Sequence, residues 1–192
     1  MKQGVKFSIL AVTLILLILA AVWGYRFLTA RYQAPEQQTA DEGNEEQAKT
    51  DPAPDFTVMD MDGNSVNLSD YFGKPIIINF WAAWCGPCKS ELPAFDAAIQ
   101  EYGQEITFLM VNLTDGFRDT VSVVTDFVDE NNYSFPVYFD TEYSAAIAYR
   151  VSSIPLTVLI DRDGNLYKSH TGAMSDTILD KYIQELLEDA GQ

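Results

Sequence analysis

The amino-acid sequence predicts an α/β sandwich, a central mixed sheet flanked by helices, preceded by one transmembrane segment. Three observations carry that reading. Ile76–Trp81 is an apolar run interrupted only at Asn79, the pattern of a strand buried on both faces, and Ile106–Leu113 reads as a second buried strand. Between them Cys88, Leu92, Phe95, Ile99 and Tyr102 recur at steps of four, three, four and three, a helical stripe. The same alternation continues to the C-terminus, and strands alternating with helices build a layered sandwich.

Phe7–Tyr25 comes first in the chain. These 19 residues carry no charge and are rich in Leu, Ile and Ala. A helix of that length spans about 28 Å, close to a ~30 Å hydrocarbon core. Trp23 and Tyr25 stand at its far end, where interfacial aromatics belong. Residues 1–30 are therefore expected to be an anchor or a signal, and length favours the anchor, because a cleaved signal has a shorter apolar region. Lys2 and Lys6 precede the segment and place the N-terminus in the cytoplasm, although Arg26 and Arg31 follow on the other side. Residues 31–54 are rich in Glu, Gln, Pro and Ala and poor in large apolar side chains, the composition of an extended tether. Residues 55–192 are the expected folded domain.

That domain opens with a hairpin: Asp55–Asp60, a turn at Asp62-Gly63-Asn64, then Ser65–Leu68. The strand Ile76–Trp81, the striped helix and the strand Ile106–Leu113 follow. Arg118–Asn131 reads as a helix with Val121, Val124, Phe127 and Val128 inward. Pro136–Phe139 is a short strand, Glu142–Tyr149 a short helix and Leu156–Ile160 a strand. Asp163-Gly164-Asn165 turns the chain into Leu166–His170. Ser175 is placed to cap a last helix whose buried side is Ile178, Tyr182, Ile183 and Leu186.

Charge and composition exclude several functions. The chain has 12 basic and 28 acidic residues, a net charge of -16. From residue 32 onward there are 8 basic and 28 acidic residues, a net of -20, the opposite of a nucleic-acid footprint. Two cysteines and one histidine cannot make a four-ligand Cys/His zinc site or a framework of several disulfides.

The chemistry is expected at Cys85-Gly86-Pro87-Cys88, where a strand ends and a helix begins. A thiol at a helix N-terminus meets free N–H groups and partial positive charge, which favour the thiolate. Only the thiolate attacks a disulfide sulfur. Pro87 enters the first helical turn without losing a needed donor, and Cys88 follows within one turn.

Trp81-Ala82-Ala83-Trp84-Cys85-Gly86-Pro87-Cys88 resembles the active-site stretch of thioredoxins. The preceding hairpin, the Lys89-Ser90-Glu91-Leu92-Pro93 continuation, the helix–strand segment near 118–139 and the N-terminal apolar segment resemble more specifically the membrane-anchored TlpA/ResA type of thioredoxin-like proteins. The resemblance covers residues 52 to 190. It implies a thioredoxin-like fold with an N-terminal β-hairpin and a helix–strand insertion.

It also implies roles. Cys85 would be the exposed nucleophile and Cys88 the buried resolving thiol. Ile154-Pro155 would be a cis-proline loop beside the sulfurs, with the Ile154 backbone pairing an extended substrate as in strand addition. Trp84, Gly86 and Pro87 would line the substrate surface. Gly172 would either flatten that surface or simply serve a turn. Thioredoxins carry a buried aspartate where this chain has Asn79. Membrane-anchored relatives place a glutamate just after the motif, here Glu91. At the edge of the helix's buried face, Glu91 is either a proton relay for Cys88 or a solvated flank residue. Trp81 reads as core, His170 as a strand residue without a catalytic task, and Pro93 as a kink.

The expected activity is thiol–disulfide exchange outside the cytosol, in the reducing direction. The only redox group called for is the Cys85–Cys88 disulfide, with no metal or other cofactor. Expected partners are disulfide-bonded exported proteins, apocytochrome c among them, and a membrane electron donor of the thiol-transfer type. Rival readings are a disulfide oxidase or isomerase, a non-catalytic binding module, and a metal chaperone using the thiolates across a dimer.

Overall fold

Seven strands join in one sheet in the computed structural model, which describes residues 51–190 and, in the N-terminal segment, positions 16, 18, 20, 22 and 23. Those five positions are helical. Most of the apolar segment and residues 24–50 lie outside the described residues. Among the described residues no helix is long and apolar enough to cross a membrane.

The strands are β1 (Thr57–Met59), β2 (Ser65–Asn67), β3 (Ile76–Trp81), β4 (Thr107–Asn112), β5 (Val137–Phe139), β6 (Leu156–Ile160) and β7 (Leu166–Thr171). Their order is β2-β1-β5-β4-β3-β6-β7. The centre is parallel, β3 with β4 and β4 with β5. The flanks are antiparallel, so the sheet is mixed. The helices are α1 (Gly86–Tyr102), α2 (Val121–Glu130), α3 (Ser144–Ala148) and α4 (Asp176–Ala190). The expected thioredoxin-like arrangement is present, with its leading hairpin and with α2 and β5 inserted.

Strand β3 shows why the site forms where it does. All six of its residues are buried, as helices cover one face and the N-terminal hairpin with α3 covers the other. Side chains alternate along a strand. Ile76, Ile78 and Phe80 pack with Phe56, Leu68 and Ala145. Ile77 and Trp81 pack with Cys88, Leu92, Phe95, Leu179 and Ile183. Asn79 falls in the second register, which turns its amide toward α1.

Three details differ from the sequence-based expectation. Helix α2 begins at Val121, not Arg118. The Asp115 carboxylate gathers the N–H groups of Phe117, Arg118 and Asp119 into a turn, and Thr120 then caps the helix through the N–H of Val123. Val121 is consequently exposed rather than inward. On α4 the buried position is Leu179, while Ile178 is exposed. Ser175 precedes this helix, and its carbonyl accepts the N–H groups of Ile178 and Leu179. Residues 51–53, expected in the tether, also pair with the domain. Pro52 bridges Asn165, Ala53 is buried, and backbone bonds link Ala53 to Gly164 and Leu166 to Asp51. Backbone pairing of this kind leaves no mark in composition.

Candidate active site

Strand β3 delivers the chain to Ala82, and a tight turn places Cys85 at the N-cap of α1. Its backbone is extended, its carbonyl accepts the N–H of Lys89, and its sulfur accepts the N–H of Cys88 at 3.2 Å. The sulfur therefore occupies the place where a helix start offers free donors. Cys85 and Cys88 are joined in a disulfide, with Cα atoms 5.3 Å apart. Cys85 is 5% exposed and Cys88 is fully covered. Both cysteines are thus buried, and Cys85 is far less open than the exposed nucleophile expected from the resemblance. Trp84, Gly86 and Pro87 surround it and are themselves exposed.

The Ile154–Pro155 peptide bond is cis. The Ile154 carbonyl oxygen lies 3.9 Å from the Cys85 sulfur, and the Pro155 carbonyl accepts the N–H of Gly172 at 2.8 Å. Gly172 has φ +104°, a conformation that favours glycine. It is thus a turn glycine that also braces the proline loop.

Glu91 is only 1% exposed, which removes the solvated-flank reading. One carboxylate oxygen accepts the Asn79 side-chain amide at 2.8 Å, and the other accepts the Met174 backbone N–H at 2.8 Å. The Asn79 amide also donates to the Thr157 hydroxyl at 3.1 Å. Burial pushes the Glu91 carboxyl above its usual range, and the two donors only partly oppose that. Helical geometry put Glu91 at the rim of the buried face. The segment leading into α4 covers that rim and closes it from water. Trp81 is fully buried, as expected of a core residue. His170 lies on β7 beside the Tyr182 hydroxyl, 3.4 Å from its Nδ1. Among the described residues no group of His, Cys, Asp and Glu is arranged to hold a metal.

Two features escaped the sequence reading. Asp119 is 1% exposed, and its carboxylate accepts the Ala83 backbone N–H at 2.7 Å and the Asn112 amide at 2.8 Å. It ties the inserted segment to the turn just before Cys85. Arg118 lays its guanidinium over the Trp84 ring, 3.7 Å from the centroid. An aspartate in a polar loop before a helix looks like a cap, so no signal in the sequence separated Asp119 from one.

A sequence model of the AhpC/TSA family matches residues 50–169. The chain is 32% identical over 170 residues to the thiol-disulfide oxidoreductase ResA of Bacillus subtilis, covering 88% of each chain. It is also similar to the crystal structure of StoA from Bacillus subtilis, at 28% identity and TM-score 0.60, over 69% of this chain and 99% of that one. A crystal structure described as a putative thiol:disulfide interchange protein DsbE from Chlorobium tepidum matches at 30% identity and TM-score 0.65, over 72% of this chain and 97% of that one.

Proposed function

The chain belongs to the AhpC/TSA family, and from that premise we propose that it is a membrane-tethered thiol–disulfide oxidoreductase that reduces disulfides of exported proteins. The observation that carries the reading is the Cys85–Cys88 disulfide at the start of α1, lying against the cis Ile154–Pro155 bond.

In the reduced enzyme the Cys85 thiolate attacks one sulfur of a client disulfide. A mixed disulfide forms, and the client's second sulfur leaves as a thiolate. The Cys88 thiolate then attacks the Cys85 sulfur, which closes the intramolecular disulfide and releases the remaining client sulfur. Two electrons pass from the enzyme to the client. Helix N–H groups stabilise the Cys85 thiolate. Glu91 accepts the Cys88 proton as that thiol becomes a nucleophile, helped by the raised affinity for a proton that burial gives its carboxyl. An extended client pairs with the Ile154 backbone and rests on Trp84, Gly86, Pro87, Pro155 and Gly172.

The disulfide is the only redox group this cycle requires. A membrane thiol-transfer donor restores the dithiol. The domain works outside the cytosol, tethered by residues 1–30 through the acidic linker, and apocytochrome c is one client of suitable chemistry.

The direct test is reduction of insulin disulfides by the full chain in detergent micelles with a small dithiol as electron source. Catalysed precipitation of insulin is expected. No acceleration would identify a binding module with an idle disulfide instead.

A further inference from the structure

Beside Trp84 an open groove of about 400 Å³ runs along α2. Its wall is apolar, built from Trp84, Val123 and Phe127, and Trp84 is 43% exposed although it is a large aromatic. Its far rim is acidic. Asp126 and Glu130 stand one helical turn apart, so their like charges face each other. Neither meets a cation among the described residues. The single cation of the lining, Arg118, is already matched: it stacks on Trp84 and its Nε lies 3.2 Å from Asp115.

We propose that this groove is a client subsite that accepts a lysine or arginine close to the client's reacting cysteine. The inference rests on the proposed function and names the substrate class for it. Long basic side chains lay an aliphatic stem on apolar surface and keep the charged head in water. Val123 and Phe127 receive the stem, and Asp126 and Glu130 receive the head. Arg118 shows on the same wall how a guanidinium seats against the indole. The groove starts at the residue preceding Cys85, so its occupant lies within a few residues of the attacked sulfur.

The test uses the reduced full chain and three peptides. Each carries one cysteine joined by a disulfide to thionitrobenzoate, whose release is coloured. The cysteine is flanked on both sides, two residues away, by arginine, glutamine or glutamate. The expected result is that the arginine peptide reacts about three- to tenfold faster than the glutamine peptide, the scale of one or two exposed ion pairs. In Asp126→Asn/Glu130→Gln that ratio falls to within about twofold, while reduction of the neutral hydroxyethyl disulfide is unchanged. A second variant, Glu105→Gln/Glu188→Gln, makes the same change in net charge at exposed positions off α2 and keeps the preference. Equal losses in both variants would overturn the subsite, because the overall field would then explain the preference. So would equal rates for the three peptides in the wild-type chain. A wild-type chain that fails to reduce even hydroxyethyl disulfide would instead overturn the proposed function, and the subsite with it.

Discussion

Two buried carboxylates brace the segment that carries the cysteines, and they are built alike. Glu91 and Asp119 are each 1% exposed, and each accepts one asparagine side-chain amide and one backbone N–H. They differ in what they hold. Glu91 sits on α1, three residues after Cys88, and reaches from the cysteine helix to the loop before α4. Asp119 sits on the inserted segment and grips the turn before Cys85 from outside that helix. Glu91 uses one oxygen for each donor, whereas both donors to Asp119 share one oxygen, and the proposed function gives the two carboxylates different tasks. The task proposed for Glu91, one helical turn from the buried thiol, is to exchange a proton with Cys88. A carboxylate bonded to the backbone upstream can only fix where the nucleophile stands.

The largest expected effect tests whether the two sulfurs differ as their surroundings do. Cys85→Ser should abolish client reduction. Cys88→Ser should keep the first attack and accumulate a client mixed disulfide, visible as a dithiol-sensitive band on non-reducing gels. Full turnover in either variant would end the assignment.

Glu91→Gln comes next. It preserves shape and burial but cannot take a proton. Resolution of the mixed disulfide should slow by about 10²-fold, the low end for a positioned base, and the pH–rate profile should lose one inflection. An unchanged profile would make Glu91 a purely structural partner of Met174.

Asp119→Asn should leave the shape of that profile alone. It should lower stability by about 1–3 kcal/mol, the range for weakening a hydrogen bond to a buried charge, measured by denaturant unfolding. A shifted pH profile in this variant would erase the contrast between the two carboxylates.

The smallest effect follows from linkage. The folded-state affinity of Glu91 for its proton lies above the unfolded value of 4.5. In the window above pH 4.5 the folded state then binds more protons than the unfolded state, so stability falls as pH rises through it. Glu91→Gln lacks this contribution. Its melting temperature relative to the wild type should rise between pH 4.5 and pH 7.5, and a constant difference would contradict the shift.

How much of this was legible beforehand depended on which physical signal each part leaves. Strands β3 and β6 carry their predicted limits because a strand covered on both faces is apolar at nearly every position, and the two polar exceptions, Asn79 and Thr157, are buried and bonded to each other. Where a polar side chain decides the path, composition misleads. Asp115 winds residues 117–119 into a turn, which moves the start of α2 and turns Val121 outward. On α4 Ile183 and Leu186 are buried as expected, but the stripe opens at Leu179 rather than Ile178, the position one turn before Ile183 on the same face. At the site, the cysteine pair was readable from its spacing, and the cis proline only through the family resemblance. Glu91 was readable as a residue of interest, but its burial depends on a loop 83 residues away. Asp119 and the seat of Arg118 on Trp84 depend on contacts across the insertion and had no local signature.

The reduction potential of the Cys85–Cys88 pair tests the proposed direction most directly. Strong oxidants of this type stabilise their reduced form. Under the proposed function, the buried Glu91, three residues after Cys88 on the same helix, disfavours a negative charge on the second thiol of the reduced form and so favours the disulfide. The full chain, equilibrated with thiol buffers of defined ratio, should show a potential near the thioredoxin value of about -270 mV or lower. A value of about -180 to -120 mV, the isomerase and oxidase range, would contradict a reductase and make the protein a factor that forms or reshuffles disulfides.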